Sequence, residues 1–329
     1  MKHINVSLFV PHLGCPNSCI FCNQKIISGK TAGLKSEDIK NACEIASSGN
    51  YSRADSEIAF FGGSFTAIDK ELMISYLETA KPYQEKYFSG IRVSTRPDCI
   101  DDEVLTLLKK YNVTAIELGA QSMCSDVLSL NERGHTPEDT EKAASLIKSY
   151  GFSLGLQMMT GLYGSSPEKD IYTAQRFISL SPDTVRIYPT AVLTGTKLER
   201  LYNEGKYVPE KLEDSIMLCS QLLMMFYENN IKVIRMGLHS GGNVEEGFVA
   251  GVYHPAFREL CESEIYKKLI AEKLDGRKAA SYEIFVKSTE ISKASGHKKS
   301  NIKYFEKQGK RIKITGDSSL KEYNVLIKT

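Results

Sequence analysis

No run of apolar residues in this 329-residue chain approaches the length that crosses a bilayer, and no secretory segment opens it. A membrane protein is therefore not expected, and a cytoplasmic, reducing location is. Internal repeats and low-complexity linkers are also missing, which excludes a solenoid or a disordered spacer. A second Cys-x-x-Cys pair is absent as well. Structural zinc ordinarily takes four ligands and two such pairs, so only His3 or His12 stands by to complete a zinc site. The apolar run before Cys15 is too short for the signal peptide of a lipid-modified cysteine. What remains is an ordinary globular composition, 42% hydrophobic and 25% charged, long enough for one large core and a small appendage.

Against those absences stands one dense motif: Cys15, Cys19 and Cys22 in Gly14-Cys15-Pro16-Asn17-Ser18-Cys19-Ile20-Phe21-Cys22-Asn23. Thiolates bind the irons of a cubane iron–sulfur cluster, and three of them leave one iron without a protein ligand. Such an open position can take a substrate or cofactor, as it does in catalytic metal sites. The other cysteines (Cys43, Cys99, Cys124, Cys219 and Cys261) are scattered and expected as buried thiols.

Short β-rich runs alternate with amphipathic stretches through the first 190 residues. Strands are expected at Asn5–Val10, Glu57–Phe61, Ile91–Thr95, Val113–Leu118, Ser153–Met158 and Thr184–Tyr188. Helices are expected at Ser36–Ala46, Lys70–Ala80, Asp101–Lys110, Pro137–Tyr150 and Pro167–Leu180, with Ser36, Asp69, Asp101, Thr136 and Ser166 as caps. This order is that of an α/β protein with a parallel sheet, open or curled, whose function sits at the carboxyl ends of its strands. A helix over Glu210–Glu228, a strand over Ile231–Met236, a glycine-rich loop over Gly237–Gly251 and a helix from Pro255 to Leu274 follow. Residues 1–240 are expected as the barrel and 241–329 as a C-terminal extension ending in a small α/β subdomain.

The polar motifs fall at strand ends: Phe61-Gly62-Gly63-Ser64-Phe65-Thr66, Ser94-Thr95-Arg96-Pro97-Asp98, Glu117-Leu118-Gly119-Ala120-Gln121-Ser122, Leu130-Asn131-Glu132-Arg133-Gly134-His135-Thr136 and Arg186-Ile187-Tyr188-Pro189-Thr190. Taken singly, Arg96 has Asp98 as a partner, Glu117 has Arg133, and Gln157 reads as a core amide. Together with the cysteines these segments resemble the radical S-adenosylmethionine enzymes, and within them the Elongator catalytic-subunit branch. The resemblance spans about residues 5–260. It implies a partial (β/α)6 barrel, a 4Fe-4S cluster on Cys15, Cys19 and Cys22, and S-adenosylmethionine on the open iron. It places Phe21 beside the adenine, Gly62 and Gly63 at the methionine ammonium, Ser64 where an acidic residue is more familiar, and Gln121, Arg133 and Gln157 among the cofactor contacts. Ser94 and Glu117, at the ends of their strands, join that set. The implied chemistry is reductive cleavage of S-adenosylmethionine to a 5′-deoxyadenosyl radical that abstracts hydrogen from a substrate carbon, driven by an external one-electron reductant.

Substrate is less legible. About 70 residues follow the core, too few for an acetyltransferase domain, so carboxymethylation of tRNA by this chain alone is not expected. Short Elongator-like proteins include queuine lyases, which release 7-aminomethyl-7-deazaguanine from queuine, and the expected substrate is a small nucleobase of that kind. The alternative is a tRNA-modifying enzyme. Residues 261–329 carry 16 Lys and Arg against 9 Asp and Glu, whereas residues 1–260 carry 26 against 31. That basic tail could meet tRNA, or simply be a solvated lysine face. Candidate substrate contacts, all at or after late strand ends, are Tyr188, Arg235, His239, Tyr253 and His254.

Overall fold

The computed structural model of the chain describes residues 5–10, 19–23, 26, 33–49, 52–238 and 244–328. One parallel sheet carries, side by side, β1 (Asn5–Val10), β2 (Glu57–Gly62), β3 (Gly90–Thr95), β4 (Val113–Gln121), β5 (Ser153–Thr160) and β6 (Thr184–Pro189). The short β7 (Ala191–Leu193) then leaves the sheet, and β8 (Lys232–Met236) joins the far edge as a seventh strand. Helices α1 (Ser36–Ser47), α2 (Lys70–Tyr87), α3 (Asp102–Lys110), α4 (Ser125–Leu130), α5 (Pro137–Ser149), α6 (Pro167–Leu180), α7 (Lys197–Asn203) and α8 (Leu212–Glu228) lie between successive strands.

Alternation along each strand separates two faces. One face carries Val6, Leu8, Ile58, Phe60, Ile91, Val93, Ile116, Leu118, Leu154, Leu156, Val185 and Ile187, all buried in the main apolar core. The other carries Glu57, Arg92, Ser94, Glu117, Gln157 and Arg186. That polar face curls inward to make a half-barrel. The Arg186 guanidinium on β6 lies 4.8 Å from the centre of the Phe61 ring on β2. In a flat sheet two strands four places apart would be separated by roughly 19 Å.

Glu117 sits at the middle of this inner face and is 1% exposed. It accepts hydrogen bonds from Arg186 Nη2 at 2.9 Å and Gln157 Nε2 at 3.0 Å, with Arg92 Nη1 and Ser94 Oγ each at 3.4 Å. Arg186 Nε adds an ion-pair contact at 2.8 Å that is out of line for a hydrogen bond. Arg92 in turn donates from Nε to Glu57 at 2.8 Å. The Glu117 carboxylate therefore pairs with Arg92 and Arg186, and the expected Glu117–Arg133 pair does not form. Burial works against the Arg186 charge, but the Glu117 carboxylate and, after it, Tyr188 together outweigh it and hold the guanidinium pKa above its ordinary value.

Caps at Asp69, Asp101, Thr136 and Ser166 accept from the backbone as expected. Helix α1 instead starts one residue earlier: Lys35 is its cap and its N–H donates to Asp38 at 2.9 Å, which leaves Ser36 inside the first turn. Helix α2 runs on through Pro82 to Tyr87. Pro82 and Glu78, whose carbonyl loses its helical partner, both face solvent, so water can replace the missing bond. The expected loop over Gly237–Gly251 contains regular structure among its described residues: α9 (Val244–Gly247) leads into β9 (Phe248–Gly251), which pairs antiparallel with β7. Cys43, Cys219 and Cys261 are buried as expected, with burial raising the first two thiols to about 12, but Cys99 and Cys124 are only half-buried.

Helix α10 (Phe257–Leu274) packs on α8 and carries the C-terminal part. There β10 (Ser281–Val286), α11 (Ile291–Ser295), α12 (Ser300–Lys307), β11 (Arg311–Gly316) and β12 (Leu326–Lys328) form a three-stranded sheet with two helices. Tyr282, Ile284, Val286, Phe305 and Ile312 join the same continuous core as the barrel strands. Buried Asn301 fastens the junction by donating to Ser263 O at 2.9 Å and Ala294 O at 3.1 Å.

The inner network makes one position intolerant. A Cβ at Gly155 would lie 2.7 Å from Glu117 Cγ and 3.0 Å from Thr184 Oγ1. Because Glu117 is pinned at its carboxylate, Gly155→Ala should destabilise the fold by about 1–3 kcal/mol. A denaturation midpoint equal to that of the wild type would refute this.

Candidate functional site

A backbone hydrogen bond from Cys22 N to Cys19 O, 3.1 Å, closes a tight turn and brings both cysteines onto the wall of a cavity at the carboxyl end of the sheet. Cys15 and His239 lie outside the described residues. Phe21 lines the same cavity, and its neighbour Ile20 anchors the turn in a small apolar cluster with Val192, Leu198 and Tyr207. Two further backbone bonds fasten it: Ile20 N donates to Asn131 O at 3.3 Å, and Leu198 N donates to Ile20 O at 2.8 Å.

Opposite stands the end of β2. Gly62 has φ +107°, and a Cβ there would meet the Phe9 ring at 2.5 Å and Val10 O at 2.7 Å, so only glycine fits. Gly63 N donates to Val10 O at 2.8 Å. Ser64 is buried against Thr95, Oγ to Oγ1 2.7 Å, and accepts from Arg96 N at 3.2 Å. Gly62, Gly63, Ser64, Ser94, Gln121, Arg133 and Gln157 all line the cavity. Glu117 does not; it lies behind the wall, bonded to both Ser94 and Gln157.

The floor of the site comes from the bulged end of β4, where the pairing with β5 shifts between Leu118 and Gln121. Gln121 takes a left-handed conformation, φ 68°, and its Oε1 is buried without a partner among the described residues. Arg133 donates from Nη1 to Cys19 Sγ at 3.1 Å and from Nη2 to Gly119 O at 2.5 Å, while its Nε has no partner among the described residues. These orphaned buried atoms and the glycine wall are what a polar ligand held beside two thiols requires.

Of the remaining candidates, Tyr188 and Arg235 are on the inner-face strands, where Tyr188 OH accepts from Arg186 Nη1 at 3.5 Å and Arg235 Nε donates to Gly237 O at 3.4 Å. Tyr253 OH donates to Glu245 at 3.0 Å, and His254 Nδ1 accepts from Ala256 N at 3.0 Å while its ring stands edge-on to His297. None of these four lines the cavity. Reasoning from sequence missed Thr95, Arg96 and Gly119 as wall residues, and the supporting roles of Asn131 and His135. Thr95, Arg96 and Gly119 lie in the strand-end segments and Asn131 and His135 in the motif that follows α4, so the signal was their position, but not their direction.

His135 is 4% exposed and its Nε2 faces Ala120 O at 3.1 Å, so Nε2 must carry the proton. Burial, together with the nearby Arg133 charge, lowers its pKa to about 4. Between that value and the ordinary 6.5 the unfolded chain binds a proton that the folded one refuses, so stability rises with pH across this window and is lost as pH falls. Going from pH 7 to 5 should cost the wild type about 2 kcal/mol through this group. His135→Gln, which keeps a donor for Ala120, should show a correspondingly shallower fall in denaturation midpoint; an identical fall would refute the assignment.

Comparison with known proteins agrees with this geometry. Residues 9–176 match the model of the Radical SAM superfamily, and residues 182–267 that of the Radical SAM C-terminal domain. A tRNA uridine(34) acetyltransferase of Dehalococcoides mccartyi is 28% identical over 239 residues, covering 62% of this chain and 52% of that protein. Its namesake in Methanocaldococcus infernus is 37% identical over 134 residues, covering 39% of this chain and 24% of the other. The chain thus spans about half, or less, of the length of these curated relatives. In fold it is similar to the archaeal Methanocaldococcus infernus Elp3 with an N-terminal deletion, with a TM-score of 0.64 and 22% identity over 81% of this chain and 63% of that one. Since the superfamily model alone covers more than half of the residues, the chain belongs to the radical SAM superfamily, whose cofactors are a 4Fe-4S cluster and S-adenosylmethionine.

Proposed function

We propose that this radical SAM enzyme holds its cluster on Cys15, Cys19 and Cys22 and acts on a small nucleobase-related substrate, with queuine as the specific candidate and 7-aminomethyl-7-deazaguanine as the product. The observation that carries the cofactor part is the convergence of Cys19, Cys22, Phe21, Gly62, Gly63, Ser64, Gln121, Arg133 and Gln157 on one cavity. When bound, the cluster and S-adenosylmethionine supply one-electron cleavage to methionine and a 5′-deoxyadenosyl radical. The chain's own residues have other tasks. The glycine wall admits the ligand's polar end close to the backbone, and Phe21 offers an aromatic edge to an adenine. Gln121 Oε1 is an acceptor waiting for a donor. Gln157, already held by Glu117, presents its remaining amide oxygen to ribose hydroxyls.

The inner face supports the small-substrate reading. Arg186, Tyr188 and Arg235 lie beside one another on β6 and β8, Arg186 and Arg235 being paired in register. With Arg186 bound to Glu117 and Tyr188, the Tyr188 hydroxyl and the Arg235 guanidinium are left to supply the donors that a planar, carbonyl-bearing heterocycle needs for orientation. Anaerobic reconstitution should load about four irons per chain, with a spectrum that changes when S-adenosylmethionine is added. Cys15→Ala, Cys19→Ala or Cys22→Ala should each abolish both. Free queuine with a strong reductant should yield its aminomethyl product and 5′-deoxyadenosine in proportion; loaded enzyme that forms deoxyadenosine without consuming queuine would overturn the substrate assignment.

A second reading, a tRNA-modifying enzyme, draws on the names of the relatives and on the exposed lysines around α12. Lys298, Lys299, Lys303 and Lys307 are all exposed, and Lys299 caps the helix. If this surface grips a nucleic acid backbone, tRNA affinity should fall steeply with salt. It should be lost when the four lysines become Glu, as measured by filter binding. Retained binding in that variant would refute a role for the tail.

A further inference from the structure

We infer that Arg133 sets the reduction potential of the cluster through its hydrogen bond to the sulfur of Cys19. The geometry is specific. Arg133 is delivered by the end of α4, which closes in a Schellman motif. Glu132 occupies the left-handed position at φ 52°, Glu132 N donates to Ser129 O at 3.0 Å, and Arg133 N donates to Leu128 O at 3.0 Å. The Arg133 carbonyl is then held by Arg96 Nη2 at 2.6 Å, and Arg96 is itself locked to Asp98 by bonds of 2.9 and 2.8 Å. From this fixed root the guanidinium reaches Cys19 Sγ and Gly119 O together, so its plane cannot swing away.

Its charge is also set apart from those of the neighbouring arginines. Arg92 and Arg186 share Glu117, and Arg96 has Asp98, but among the described residues no carboxylate forms an ion pair with Arg133. At 7% exposure water screens little of that charge. Reduction adds one negative charge to the cluster and its sulfur ligands. A buried cation donating N–H to one of those sulfurs stabilises the reduced form more than the oxidised one, which raises the potential. Arg133 would thereby ease electron entry from a one-electron donor, whatever contact it also makes with S-adenosylmethionine.

The inference rests on the cluster assignment but not on the substrate, and its test needs no turnover. The full chain and Arg133→Gln are reconstituted anaerobically, without S-adenosylmethionine, and titrated with a redox dye series under electron paramagnetic resonance. At a fixed ambient potential the reduced-to-oxidised ratio of the variant should fall about tenfold, a shift of about 59 mV toward more negative potential for one electron. In the unaltered protein grown on arginine labelled with heavy nitrogen, pulsed resonance of the reduced cluster should reveal a nitrogen coupling that Arg133→Gln removes. A variant that loads iron and titrates with the wild type overturns the inference, as does labelled wild type without the coupling. Should the variant take up no iron, the labelled wild type decides alone. A wild-type chain that takes up no iron overturns the cluster assignment and this inference with it.

Discussion

A single buried carboxylate organises the interior of this half-barrel. Glu117 is removed from water almost completely, and an ionised group so placed must be matched by charge and hydrogen bonds or the fold loses several kcal/mol. Its partners come from both sides of its own strand, Arg92 on β3 and, beyond Gln157 on β5, Arg186 on β6. Arg92 extends the chain of charges to Glu57 on β2, and Arg186 closes it by lying over Phe61 of that same strand. Satisfying all of these contacts at once requires the strands to bend round a common centre. Curvature and charge pairing are thus two descriptions of one constraint.

That constraint also explains why the inner face can be polar and yet largely withdrawn from solvent. Glycine at position 155 leaves room for the Glu117 side chain to run across β5 instead of pointing up the barrel. Ser94 and Gln157 are consequently held from behind, and the atoms they turn toward the cavity are oriented before any ligand arrives. Preorganisation of this kind removes ordering cost from binding and fixes the geometry in which a reactive species must be kept.

The sheet was legible because its strands alternate so cleanly. Leu154, Leu156 and Met158 against Gly155 and Gln157 can be read from the letters alone, and observed strand bounds differ from those expected by at most two residues, save β4, which runs three residues past its expected end to Gln121. The convergence of residues on one cavity was legible through motifs at strand ends, which any parallel sheet brings to one side. Pairing across the lumen was not. Glu117 and Arg133 are close in sequence and each looks like the other's partner, yet curling brings Arg186 to Glu117 and leaves Arg133 to the cysteine turn. Tyr253 and His254 stand apart from the cavity for a similar reason: they follow a strand in sequence, but β9 pairs with β7 outside the main sheet, and their polar atoms turn to Glu245 and Ala256. The stretch after Gly237 read as a loop because glycines hide a four-residue strand whose stability comes from its partner, not its propensity.

The most demanding local feature is the bulge at the end of β4. Where the ladder to β5 slips, the carbonyls of Gly119 and Ala120 leave regular pairing, and Gln121 is driven to a positive φ that costs a residue with a Cβ on the order of 1–3 kcal/mol. Those two carbonyls are caught by Arg133 Nη2 and His135 Nε2. Two residues earlier, Asn131 offers its own carbonyl to Ile20 in the cysteine turn and is itself held by Val127 O and Tyr163 O. One short segment after α4 therefore grips two sides of the cavity, the cysteine turn of its wall and the strained strand end of its floor. Displacing that segment would release the Gln121 strain and loosen the thiols together, so the position of the cysteines and the shape of the ligand seat are mechanically a single variable.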